Sequence, residues 1–156
     1  MDVLYEDKNI KFICIKNDDK YILSMIPLKS INDVDMVNIS QIFTTILKTY
    51  KSEKKKWSVL YDIRKGDIPT KKHIDFWSKI FRQLHNTMEN NQNATAILVK
   101  STDISDILNK VLLLWEPIGE VKFFTDYDSS LEFLKKKNME LKVPVNTKIK
   151  LKSSRF

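Results

Sequence analysis

At 156 residues, with 42% hydrophobic and 10% aromatic content, the chain is long enough to bury the core of one domain and too apolar to remain disordered. No apolar run approaches the ~20 residues of a membrane span, and the start, MDVLYEDKNIKF, alternates charges where a secretory leader needs an apolar stretch. The net charge of +7 is local: residues 1–134 hold 19 Lys and Arg against 19 Asp and Glu, so a neutral body precedes a basic end.

That basic end comprises Lys135, Lys136, Lys137, Lys142, Lys148, Lys150, Lys152 and Arg155, opposed by Glu140 alone. Such a tail suggests attraction to phosphates or anionic surfaces. Lys outnumbers Arg by 24 to 3, and Gly and Ala number two each. An AT-rich genome (bacterial, protist or large viral) produces the same bias, so lysine content alone is weak evidence of a partner. The single cysteine, Cys14, sits in an apolar run and has no intramolecular disulfide partner. It reads as a small core residue, and a reducing, cytoplasmic compartment is the expectation.

In chain order, Ile10 to Lys16 (IKFICIK) and Tyr21 to Ile26 (YILSMI) flank the turn residues Asn17, Asp18 and Asp19, which predicts an antiparallel hairpin closed by Pro27. Asn32 or Asp33 caps a first helix with Val37, Ile42, Phe43, Ile46, Leu47 and Tyr50 on one face. After the solvated run KSEKKK, Trp57 to Ile63 has the length and β-branched content of a central strand. The charged loop Arg64, Lys65, Gly66 and Asp67 leads to Pro69 and Thr70, a helix start. Ile74, Trp77, Ile80, Phe81, Leu84 and Met88 recur at helical spacing, giving a wide apolar face to a helix that ends near Asn86.

Met88 to Asn93 reads as a polar loop, and Thr95 to Lys100 as a strand parallel to the central one. Ser101, Thr102 and Asp103 open a third helix with Ile107, Leu108, Val111, Leu112 and Trp115 on its face, stopped by Pro117 and Gly119. Glu120 to Phe124 is a short strand. A last helix starts within Asp126 to Ser130, where Ser129 and Glu132 match a capping box, and its triple lysine suits a helix carboxyl end. The order is ββαβαβαβα: an α/β fold with about five strands in a mixed, mainly parallel sheet covered by about four helices. The domain spans 1–137, and 138–156 is a basic C-terminal tail.

Four stretches carry a family resemblance: VLYDIRKGDI from Val59 to Ile68, the helix IDFWSKIFRQL, the strand ATAILVK from Ala94, and VKFFTDYDSSLEFL from Val121 to Leu134. In order and spacing over residues 8–136 they resemble the STAS superfamily, particularly stand-alone SpoIIAA-like domains of the STAS/SEC14 type. The resemblance implies a SpoIIAA-like fold and a regulatory role through protein contact. Regulatory members carry an Asp-Ser-Ser-Gly type motif whose serine is phosphorylated. Here that place holds Asp67, Ile68, Pro69, Thr70 and Lys71, and Thr70 is its sole hydroxyl. Thr70 reads either as an ordinary N-cap or as a phosphoacceptor beside Lys71 and Lys72.

Catalytic signatures are lacking. His73 and His85 are twelve residues apart, and with one cysteine no metal-ligand set or cofactor motif emerges. Two glycines leave no room for a glycine-rich phosphate loop, and no G-x-S-x-G elbow occurs. Asp62 and Asp67 could be paired carboxylates for acid–base work, but pairing of Asp62 with Arg64 or a neighbouring lysine is the commoner outcome. No enzyme, cofactor or metal is expected.

The candidate interaction or anion-binding loop comprises Asp62, Arg64, Lys65, Gly66, Asp67, Thr70 and Lys71, joined at the sheet's carboxyl end by Ser101, Thr102 and Thr125. The leading expectation is a non-catalytic interaction domain with a protein partner. One alternative is a small-anion, nucleotide or lipid module at the same sheet end, where Trp115 could line a lipid pocket. Another is a nucleic-acid or virion-associated protein working through the tail. A homodimer fits any of the three.

Overall fold

The computed structural model describes residues 1–66, 70–101, 109 and 118–140. Its core is a six-stranded sheet in sequential order: β1 (Asp2–Glu6), β2 (Ile10–Asn17), β3 (Lys20–Pro27), β4 (Trp57–Asp62), β5 (Gln92–Leu98) and β6 (Glu120–Phe124). β1, β2 and β3 pair antiparallel, whereas β3 to β6 are parallel. The hairpin register sets Asn17 opposite Lys20, and Asp18 adopts the left-handed conformation (φ 59°) that short polar side chains tolerate. All six residues of β4 are buried, as a parallel strand covered on both faces must be.

The sheet has one strand more than expected. β1 is an edge strand with an irregularity between Val3 and Tyr5, and Val3 and Leu4 remain exposed. Only half of such a strand packs, so its sequence carries little of the apolar signal that marks an inner strand. The Asp7 carboxylate closes the β1–β2 turn by accepting from the amides of Asn9 (2.7 Å) and Ile10 (2.9 Å).

β3, β4 and β5 follow one another across the sheet in chain order, so right-handed crossovers place the helices between them on one face. There α1 (Asp33–Ser52), α2 (Lys71–Gln83) and the short α3 (His85–Met88) cover a core built on Phe12, Phe43, Leu47, Trp57 and Tyr61. On the other face α4 (Tyr127–Glu140) lays Leu134 against Ile22, Leu60, Ala94, Ala96 and Leu98. It lies closest to β5, where the two alanines leave room for a helix backbone.

Several expected boundaries and faces shift. Asn32 caps α1, its side chain accepting from the Asp35 amide at 2.8 Å. The buried face of α1 runs through Met36, Ile39, Phe43, Leu47 and Tyr50, while Val37 is 44% exposed; a stripe read one residue off still looks periodic. The second helix breaks at Leu84 instead of running to Asn86. β5 starts at Gln92, inside the expected polar loop, because Gln92 is buried with its own partners: it accepts from Trp57 Nε1 (2.9 Å) and donates to Thr95 Oγ1 (3.2 Å).

The cap of α4 is Asp126 in place of the Ser129–Glu132 box: its carboxylate accepts from the Ser129 amide (2.8 Å) and hydroxyl (2.7 Å). α4 runs through Glu140, so the boundary drawn at 137/138 falls inside a helix. The residues expected to form the third helix face, Ile107 to Trp115, lie outside the described residues, as does Pro117.

Candidate functional site

The carboxyl ends of β4, β5 and β6 lie together, and the ladder continues past them: the Ile63 amide donates to Leu98 O (3.0 Å) and the Val99 amide to Phe124 O (2.8 Å). Binding crevices form at such strand ends in α/β sheets. Asp62 ends β4 with a side chain 9% exposed, and Arg64 grips it in a fork, Nε to Oδ1 at 2.9 Å and Nη2 to Oδ2 at 2.8 Å. That carboxylate holds the Arg64 guanidinium above its ordinary pKa. Arg64 is therefore the clamp that satisfies a buried charge, and the loop beyond it starts from a rigid base.

Lys65 points into solvent past this clamp, and Gly66 follows, half-buried. Thr70 is the N-cap of α2, its hydroxyl accepting from the His73 amide at 3.3 Å; Thr70 and Lys71 are both exposed. The next turn is tied to α1, with Asp33 accepting from Lys72 and lying 3.6 Å from His73 Nε2. The hydrogen bond from Lys72 lowers the pKa of Asp33. Ser101 is half-buried just beyond β5. Asp67, Thr102 and the tail residues Lys142, Lys148, Lys150, Lys152 and Arg155 lie outside the described residues.

The structure adds groups that were read only as a helix start. A cavity of about 250 Å³ opens at the ends of β5 and β6, lined by Val99, Phe123, Phe124, Thr125, Asp126 and Ser129. Its charged group is Asp126, held ionised by hydrogen bonds from the Ser129 hydroxyl and amide, so its pKa is lowered. Arg64 adds a favourable charge nearby, and burial raises the Tyr127 phenol beside the Asp62 charge. The signal was in the sequence: residues directly after any parallel strand fall at this edge, and Thr125 and Asp126 follow β6.

The electrostatics differ from a simple cationic cradle. Asp62 offsets Arg64 and Asp33 offsets Lys72, while Lys65 and Lys71 remain exposed without a described carboxylate in salt-bridge range. Trp77 packs on Phe76 and Phe81 at the edge of the first core, as a structural residue does. Cys14 is buried, and desolvation pushes its thiol pKa up, which suits a core residue. Among the described residues no group of three His, Cys, Asp or Glu side chains is placed to hold a metal ion, and no helix is long and apolar enough to cross a membrane.

No protein-family model matches the chain, and no curated protein matches it. Among solved structures it is similar to an uncharacterized DUF3478-family protein with a SpoIIAA-like fold from Shewanella loihica PV-4. The TM-score is 0.56 at 18% identity, over 84% of this chain and 98% of that one. The sequential mixed sheet, with α1 to α3 on one face and α4 on the other, is a SpoIIAA-like fold.

Proposed function

We propose that this chain is a non-catalytic interaction domain that takes a protein partner through the loop after β4 and the first turn of α2. The observation that carries the reading is the contrast within ten residues of chain: the Asp62–Arg64 fork is anchored, and Lys65, Thr70 and Lys71 beyond it are exposed. A loop held at its root presents its outer side chains with little ordering cost, which is what a recognition loop needs. Two lysines with no carboxylate partner among the described residues favour an acidic partner surface. Asp62 is already committed to Arg64, which argues against acid–base work there.

Thr70 can accept a phosphate at a helix amino end beside Lys71 and Lys72, and such a modification would neutralise the positive charge this surface offers. The cavity beneath Thr125 supports a second reading, a small ligand with an apolar body against Val99 and Phe123. Asp126 would select a hydrogen-bond donor or cation in that ligand over an anion.

Native mass spectrometry of the purified chain, followed by affinity capture with wild-type and Lys65→Glu/Lys71→Glu baits, tests both. A defined protein held by wild type and lost at least about tenfold by the double variant, with unchanged melting, supports the interaction reading. Equal capture by both baits overturns it. A co-purifying small molecule whose retention falls in Asp126→Asn moves the assignment to the cavity.

A further inference from the structure

The opposite end of the sheet, where the parallel strands begin, gathers lysines that are far apart in the chain. α1 ends there at Ser52, and the run to Lys56 leads into Trp57. α4 ends there too, because Asn138 is pinned to the beginnings of three strands: its Oδ1 accepts from Ser58 Oγ (2.8 Å) and Asn93 Nδ2 (2.9 Å), and its Nδ2 faces Tyr21 O at 3.5 Å. The lysines at 51–56 and 135–137 thus flank the start of β4 from the two faces of the sheet.

Several carboxylates at this end are already paired with lysines. Asp19 pairs with Lys20 and Glu53 with Lys55, while Glu120 and Glu140 both pair with Lys137. Lys48, Lys51, Lys54, Lys56, Lys135 and Lys136 are exposed, and none lies within salt-bridge distance of a described carboxylate. Lys51 and Lys56 donate to the carbonyl oxygens of Asn86 and Asn90, which fixes their heads at the surface without neutralising them. Helix carboxyl ends favour cations, but a dipole of about half a charge needs one lysine per helix. The last described residue, Glu140, stands at this end, and residues 141–156 carry five basic and no acidic side chains.

We infer that the amino end of the sheet is a polyanion-binding surface whose partner is the phosphate backbone of a nucleic-acid duplex, engaged by these folded lysines. Lysines contact phosphates as point charges and read no sequence, so the binding is electrostatic and salt-dependent. A single strand would be held by exposed aromatic rings, and no aromatic residue is among the exposed large apolar side chains of the described residues. An anionic membrane would be met by an apolar stripe beside the charges, whereas α4 turns Leu134 inward and exposes Met139 alone near its end. The surface lies away from the loop after β4, so it stands or falls independently of the proposed protein contact.

The test is fluorescence anisotropy of the full-length chain on a labelled DNA duplex about two turns long, titrated over a range of salt. Three proteins are compared: wild type, Lys54→Gln/Lys135→Gln/Lys136→Gln, and a variant with its five tail cations at Lys142, Lys148, Lys150, Lys152 and Arg155 changed to Gln. The expected result is a log–log salt slope reduced by about one unit per folded lysine removed, with melting unchanged. Loss of binding in the tail variant with no change in the folded-lysine variant overturns the inference, since the tail then acts alone. Absence of duplex binding by wild type, or binding only to phosphatidylserine vesicles run in parallel, overturns it as well.

Discussion

Single residues divide sharply here between those that bind and those that hold. Arg64 looked like an interaction residue and is the partner of a buried aspartate, so its removal would test stability before function. Lys65 is the better probe of the surface. Asp126 shows the reverse: it stood in the sequence as one of several cap-type residues, and the structure makes it both the cap of α4 and the charged group of the cavity. Its pKa is lowered in the fold, first by the Ser129 hydroxyl and then by the Ser129 amide. A depressed carboxylate contributes stability above its ordinary pKa of about 4, and that contribution is lost as pH falls through the folded value. Asp126→Ala should therefore melt below wild type at neutral pH, and the gap should close on acidification; thermal melts across the acid range check this.

At the scale of elements, periodicity found the inner strands and the first, second and last of the expected helices, and it misjudged places where a single contact decides. Gln92 reads as loop because it is polar, yet its amide satisfies the indole of Trp57 and so joins β5. β6 begins just after Gly119, whose φ of 77° and close approach to Asn93 exclude a side chain: a Cβ would stand 1.8 Å from Asn93 O. The glycine was legible as a helix stop, and its second duty, letting the chain pass against β5, was not. Gly119→Ala should cost at least ~2 kcal/mol, combining left-handed strain with displacement of the β5 edge. Urea unfolding measures it, and the loss should be accompanied by weakened amide protection along β6.

Over the whole molecule, the two sheet ends carry different side chains, and one side chain ties α4 to three strands. Asn138, 1% exposed, was assigned to the tail and instead joins Ser58 and Asn93 across the sheet's amino end. Asn138→Leu takes this partner from the buried Ser58 hydroxyl and the half-buried Asn93 amide and should lower unfolding free energy by about 2 kcal/mol, measured by chemical denaturation. The sequence by itself determined the fold class, the order of the inner strands and helices and the central place of Trp57–Asp62, because apolar spacing and crossover handedness are local or near-local rules. It also contained the resemblance whose implied SpoIIAA-like fold the structure shows. Only the tertiary structure decided which charges are spent and which are free. Whether Arg64 meets Asp62, and which of the lysines at 51–56 and 135–137 meet a carboxylate, depends on distances between atoms that the chain brings together only after its apolar faces have packed.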